Sequence, residues 1–253
     1  MGGGPRIVTQ VTSLTTTLLQ QPLLLDGGLA TELERQGSDL SGGSLWSARL
    51  LRDDPDAIVD VHRAFFRAGS DVATSASYQA TFEGFAAAGI DAATTVDLMR
   101  RSVELARRAA DEVQDRRTWI AASVGPYGAM LADGSEYRGD YGLSIRQLRE
   151  FHRPRLEMLA EAGADVLAVE TIPSAAEAEA LLEELSTLGM PAWLALSVSG
   201  AQTRSGEPLS EVFAMAADVG DVIAVGINCS TPEDAAAAVP IAHSATGKDS
   251  LAC

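Results

Sequence analysis

Asp165-Val166-Leu167-Ala168-Val169-Glu170-Thr171-Ile172-Pro173 is a short apolar run closed by a carboxylate. The run is too short for a helix and rich in Val, Leu and Ala, as buried parallel strands are. Ser174 with Glu177 then fits a capping box, which opens a helix, and Gly189 sits where that helix should stop. The same unit recurs outward in both directions. Leu23–Leu25, Asp71–Ser75 and Trp119–Val124 precede it, and Trp193–Val198 and Val222–Ile227 follow. Between the runs lie more helix signals. Asp54 caps a helix with Pro55 at its first position, Ile58, Val61 and Phe65 share one face, and Gly69 ends it. Ser144 with Gln147 makes a second capping box, Gly163 a second stop, and Thr231-Pro232 starts a last helix to about His243.

Strands alternating with helices imply a parallel sheet, as an open doubly wound sheet or as a barrel. No glycine-rich dinucleotide fingerprint follows the first run, which leaves the open sheet without its usual support. Polar residues close nearly every run: Asp26, Ser75–Tyr78, Gly125–Tyr127, Glu170–Thr171, Ser197–Ser199 and Asn228–Cys229. A barrel gathers such ends at one mouth, where barrel enzymes work. The expectation is an α/β chain of (β/α)8 TIM type with about six of the eight strand–helix units present. Residues 1–21 read as a flexible tail and 22–253 as the barrel domain, incomplete at its C-terminal end.

The chain has 253 residues and a net charge of −16. A nucleic-acid partner needs a basic face, and an anionic membrane attracts one, so neither is expected. No apolar run approaches the ~20 residues of a membrane helix, and the N-terminal stretch lacks the apolar block of a secretory signal. Two cysteines, Cys229 and Cys253, make no disulfide framework and suit a reducing cytoplasm.

Three motifs carry chemistry. Cys229, at the end of the Gly226-Ile227-Asn228-Cys229-Ser230 run, reads equally as a metal ligand and as an inert buried thiol. Asp26-Gly27-Gly28 offers a carboxylate and bare backbone to a ligand, or a tight strand–helix turn. Glu170 is a carboxylate on an apolar strand, costly unless paired or functional. Asp26 and Glu170 together could clamp an ammonium while the Gly27 and Gly28 amides take a carboxylate, an amino-acid-shaped site. His62, His152 and His243 fall within helices, which favours core or solvated roles.

From Leu23 to about Gly247 the chain resembles homocysteine S-methyltransferases, particularly those using S-methylmethionine. The resemblance is carried by Leu25-Asp26-Gly27-Gly28, Leu45-Trp46-Ser47-Ala48, Ala76-Ser77-Tyr78-Gln79-Ala80 and Val124-Gly125-Pro126-Tyr127-Gly128-Ala129. It continues through Ala132-Asp133-Gly134-Ser135-Glu136-Tyr137-Arg138-Gly139-Asp140-Tyr141, Glu170-Thr171-Ile172-Pro173 and Gly226-Ile227-Asn228-Cys229. It implies a zinc-dependent barrel that moves a methyl group from S-methylmethionine or S-adenosylmethionine onto homocysteine, giving methionine. It also implies that Cys229 is the first of three zinc cysteines, and that Asp26, Gly27, Gly28 and Glu170 hold the amino-acid end of homocysteine. Trp46, Ser47, Tyr78 and Asn228 would line the same mouth. The paired cysteines of the family's last strand have no match here, and Asp249–Cys253 reads as an unrelated tail. The accompanying expectations are an open sheet prone to self-association, with free edges at Leu23–Leu25 and Val222–Ile227, and little methyltransferase activity. The alternatives are a noncatalytic barrel keeping part of a homocysteine pocket and a different barrel enzyme for an amino-acid-like substrate.

Overall fold

The structure, a computed structural model, describes residues 13–40 and 46–252; the side chains of Trp46, Ser47 and Ala48, and all of Cys253, lie outside the described residues. Six strands form one sheet: β1 (Val72–Thr74), β2 (Trp119–Val124), β3 (Val166–Ile172), β4 (Ala192–Leu196), β7 (Val222–Ile227) and β8 (Asp249–Ala252). Two short strands, β5 (Val198–Ser199) and β6 (Gln202–Thr203), make a separate antiparallel hairpin. Helices α1 (Leu14–Leu18), α2 (Leu29–Arg35), α3 (Trp46–Asp53) and α4 (Pro55–Ala68) precede β1. The others are α5 (Phe82–Ala87), α6 (Ala92–Ala110), α7 (Tyr127–Leu131), α8 (Ile145–Glu161), α9 (Ala175–Leu188), α10 (Leu209–Ala214) and α11 (Pro232–Thr246).

The sheet order β1-β2-β3-β4-β7-β8 is the chain order, and every pair in it is parallel. A doubly wound sheet reverses direction at a switch point; this one runs on without reversal, as a barrel wall does. The period-2 alternation of strand side chains separates two cores. Ile120, Ala122, Val124, Leu167, Val169, Leu194, Leu196, Val225 and Ile227 pack outward against the helices. Val72, Trp119, Ala121, Val166, Ala168, Trp193, Ala195 and Ala224 form an inner core with Leu14 of α1. The curled sheet is a partial TIM-type barrel, as expected.

The capping signals hold with one exception. Asp54 accepts from Ala57 N, and Gly69 ends α4 at φ 111°. Ser144 and Gln147 close a full capping box, as do Thr231 and Asp234 at the start of α11, which runs to Thr246 rather than His243. Ser174 caps α9, but Glu177 does not complete the box; its carboxylate accepts from Tyr127 N at 2.6 Å instead.

Three expectations are corrected. Leu23–Leu25 is a single parallel bridge, Leu25 to Val72, not a strand; among the described residues only β1 pairs with it, and Leu24 is exposed. Part of the expected tail is helix α1, capped by Ser13, with Leu14 buried under the barrel. Asp249–Ala252 is not an unrelated tail: it is β8, paired in parallel with β7 from Ala224↔Asp249 to Ile227↔Ala252. Val222–Ile227 is therefore an interior strand. Gly226 makes this pairing possible, because a Cβ there would sit 1.8 Å from the Leu251 carbonyl oxygen.

Candidate active site at the barrel mouth

The C-terminal ends of the strands open on one cavity of about 320 Å³. Asp26, Gly27, Gly28, Tyr78, Glu170, Asn228 and Cys229 all line it, so the structure brings together seven of the nine residues expected there. The other two, Trp46 and Ser47, sit at the start of α3, with side chains outside the described residues.

Asp26 follows the Leu25 bridge, and its backbone N–H donates to Val72 O at 3.0 Å. Its carboxylate accepts from Thr74 N at 2.7 Å and from Thr74 Oγ1 at 2.8 Å. Glu170 accepts from the Ser123 hydroxyl and, at 3.3 Å, from Asn228 Nδ2. Both carboxylates keep some accessible surface, as cavity-lining groups must, while protein surrounds them closely. Burial pushes the Asp26 carboxyl up to about 7, against the Thr74 hydrogen bonds and with help from the Glu170 charge. Burial also pushes Glu170 up to about 7, against its bond from Ser123. Two carboxylates in one desolvated site resist being ionised together, and a bound cation reverses that preference.

Ordinary strand alternation aims Glu170 inward, and an irregularity follows it. Val166 and Ala168 face the inner core, and Glu170 continues that face. The β3–β4 register then shifts between Val169 and Ile172, and Ile172 packs with the outer core. Such bulges re-aim side chains beside functional sites. Thr171 takes up the irregularity at φ 62°, and Cys229 at the neighbouring strand end has φ 48°. The left-handed region is costly for residues with a Cβ, most of all a β-branched one, and persists only where surroundings fix it. Asn228 does the fixing: Oδ1 accepts from Thr171 N at 2.7 Å, and Nδ2 donates to Thr171 Oγ1 at 2.8 Å.

Cys229 is exposed at the rim, yet the packing around its sulfur pushes the thiol pKa up, opposed by a bond from Thr171. Among the described residues, no group of three or more His, Cys, Asp or Glu side chains is placed to hold a metal ion. A catalytic zinc site takes three protein ligands. The described donor set does not fit one.

Tyr78 lies on the backbone of Gly125, where a Cβ would come within 2.6 Å of the ring; burial raises its phenol pKa. The Gly125–Tyr127 loop is clamped from behind. Buried Arg155 donates to Gly125 O, and Glu177 Oε1 meets His152 Nε2 at 2.8 Å as well as Tyr127 N. Burial lowers the His152 pKa and takes that of His62 down to about 4. His243 lies on α11 with Nδ1 3.2 Å from Lys248 O. None of the histidines lines the cavity.

Sequence reasoning missed Thr74, Ser123, Thr171 and Tyr137, which line the cavity, and Arg155 and Glu177 behind it. Thr74 and Ser123 sit at or near strand ends, which was a readable signal. Tyr137 lies in a short 3-10 turn, Ser135–Tyr137, with no strand end to mark it.

Residues 23–252 match the family model described as homocysteine S-methyltransferase. Homocysteine S-methyltransferase of Escherichia coli K12 is 48% identical over 234 residues, covering 90% of this chain and 75% of that protein. Homocysteine S-methyltransferase YbgG of Bacillus subtilis is 47% identical over 218 residues, covering 82% and 69%. The crystal structure of the E. coli homocysteine methyltransferase MmuM in metallated form superposes with a TM-score of 0.87 at 45% identity, covering 93% of this chain and 84% of that one.

Proposed function

This chain belongs to the homocysteine S-methyltransferase family, and we propose that it moves a methyl group from S-methylmethionine or S-adenosylmethionine onto the thiol of homocysteine, giving methionine. One observation carries the reading. Asp26 and Glu170, with pKa values raised to about 7, share a cavity with Cys229 at its rim. An α-ammonium is a natural partner for such a carboxylate pair, because it restores the charge that burial suppresses. Gly27 and Gly28 line the cavity as bare backbone, where amide N–H groups can meet the α-carboxylate. Homocysteine held by that end points its thiol toward Cys229 and the solvent, with Tyr78 beside it.

The transfer balances simply. A lone pair on the homocysteine sulfur forms the new S–CH3 bond as the donor's S–CH3 bond breaks. The bonding pair stays with the donor sulfur, which passes from sulfonium to neutral thioether. The thiol proton leaves to solvent. A free thiol of pKa ~8.5 is mostly protonated at neutral pH, so the fraction ionised limits the unassisted rate. Cys229 is the one described thiol at the mouth; a zinc ion held there would need two further protein ligands, and would supply the chemistry of deprotonating the homocysteine thiol. The reading also places the protein in the cytoplasm, with no nucleic-acid or membrane partner, consistent with a net charge of −16. Among the described residues no helix is long and apolar enough to cross a membrane.

The test is methionine formation from homocysteine and S-methylmethionine with zinc supplied. Cys229→Ser should lower methionine formation by about tenfold or more, because Cys229 stands at the rim where the reading puts the homocysteine sulfur. Homocysteine binding with no methionine formed would move the assignment to a homocysteine-binding barrel. Absence of binding would refute it altogether.

A further inference from the structure

Homocysteine, held by Asp26 and Glu170, leaves the solvent side of Cys229 as the approach for a donor. Two side chains occupy that side. Tyr137 is 45% exposed, lines the same cavity and interacts with the Cys229 thiol. The guanidinium carbon of Arg204 lies 5.9 Å from the centre of the Tyr137 ring. Arg204 follows the β5–β6 hairpin and is fixed at one edge, its Nε donating to Ser197 Oγ at 3.2 Å. Among the described residues it forms no ion pair, unlike Arg107, Arg149 and Arg153. Its two terminal nitrogens make no hydrogen bond to the described residues. Arg204 also lines a second cavity of about 530 Å³, together with Glu207. The Tyr137–Arg204 pair thus joins the homocysteine cavity to a second one.

We propose that Tyr137 and Arg204 form the methyl-donor subsite, with Arg204 taking the α-carboxylate of a sulfonium amino acid and Tyr137 receiving its sulfonium end beside Cys229. The inference rests on the methyltransferase reading and adds to it the residues that hold each end of the donor. A guanidinium fork matches a carboxylate with two parallel hydrogen bonds. An aromatic ring attracts a sulfonium as it does other cations. Glu207 lines the second cavity and accepts from Thr203 Oγ1 through Oε2, which leaves Oε1 for the donor's α-ammonium. Transfer removes the sulfonium charge, so the spent donor loses its attraction to Tyr137 and leaves more readily than the donor entered.

The test is calorimetric titration of the full chain, preloaded with homoserine, whose hydroxyl replaces the thiol and accepts no methyl group, using two ligands: S-methylmethionine and its carboxamide; homocysteine is titrated separately. The unaltered chain should bind the carboxylate form about tenfold or more tightly than the amide, the discrimination expected of a charged, forked hydrogen bond. Arg204→Ala should bind S-methylmethionine about tenfold more weakly and no longer distinguish it from the amide, and Arg204→Lys should recover part of the difference. The affinity for homocysteine should stay within about twofold throughout. Equal binding of acid and amide by the unaltered chain overturns the inference, and so does undiminished binding by Arg204→Ala. A chain that binds homocysteine but no S-methylmethionine overturns it while leaving the homocysteine pocket standing. Failure to bind homocysteine at all removes the underlying reading first, and this subsite with it.

Discussion

Asp26 and His62 titrate in opposite senses across the same pH range, and that opposition can be taken apart one residue at a time. The Asp26 carboxyl is raised from 3.8 to about 7, so between those values the folded chain holds a proton that the unfolded chain has released. Its contribution to stability therefore falls as pH rises from about 4 to about 7 and is constant above that. His62 is lowered from 6.5 to about 4, so its contribution is lost as pH falls through the same window. Asp26→Asn keeps the shape and the Thr74 partners while removing the first effect. Thermal melts should show the variant more stable than its parent near pH 8 and level with it near pH 4; an advantage independent of pH would mean that Asp26 is not held protonated. The same substitution should weaken homocysteine binding by about tenfold or more, because an amide cannot replace a carboxylate opposite an ammonium. In the unaltered chain, homocysteine should bind more weakly as pH drops below about 7, with protons released on binding. Titrations in buffers of different ionisation enthalpy read that release directly. Asp26 and Glu170 were legible as a pair from strand-end position alone. Thr74 and Ser123, which hold them, also sit at or near strand ends, but their partners were not legible, since a hydroxyl on a strand looks the same in sequence whether it faces a carboxylate or the core.

At the scale of elements, the alternation of short apolar runs with capped helices revealed β1, β2, β3, β4 and β7 and helices α4, α8, α9 and α11, because burial on both faces and chain-end chemistry are written locally. β8 was not legible. Asp249-Ser250-Leu251-Ala252 is short and half polar, and its side chains alternate between partly buried and exposed. What commits it to the sheet lies on its partner. Gly226 is a glycine inside an apolar strand, a mark of close backbone approach, and the sequence reading passed over it. Gly226→Ala should therefore push β8 off β7: hydrogen exchange at Asp249–Ala252 should rise to that of an unpaired segment, and the melting temperature should fall. Retained protection there would show that β8 tolerates a Cβ 1.8 Å from the Leu251 oxygen as placed now, and so that the strand is held elsewhere. The bulge in β3 escaped the sequence reading for a related reason. It depends on Asn228, 57 residues away from the Thr171 whose backbone it satisfies, and no local pattern encodes that pairing.

For the whole molecule, the balance lies between sheet edges that invite association and a charge that opposes it. The described sheet ends at β8 on one side and at the Leu25 bridge on the other. Among the described residues β8, rather than β7, is thus the strand at the second edge. Unpaired N–H and C=O groups along such an edge can template another strand, and a bridge as short as Leu25's blunts its own edge better than a four-residue strand does. A second copy pairing along β8 would need to approach against a net charge of −16 on each chain. That repulsion reaches about 10 Å at 0.1 M salt and about 3 Å at 1 M, whereas backbone pairing depends little on salt. Light scattering should therefore give a monomer mass at low salt and a dimer or larger mass as salt rises toward about 1 M, against the usual loosening of ionic contacts. A Ser250→Lys variant puts a charged side chain on β8, where the serine is exposed, and should stay monomeric over the whole range. If the unaltered chain remained monomeric at every salt concentration, the edge would have to be covered, and β8 would not be the surface through which copies meet. Mass rising in the parent but not in the variant would place the contact on that one strand.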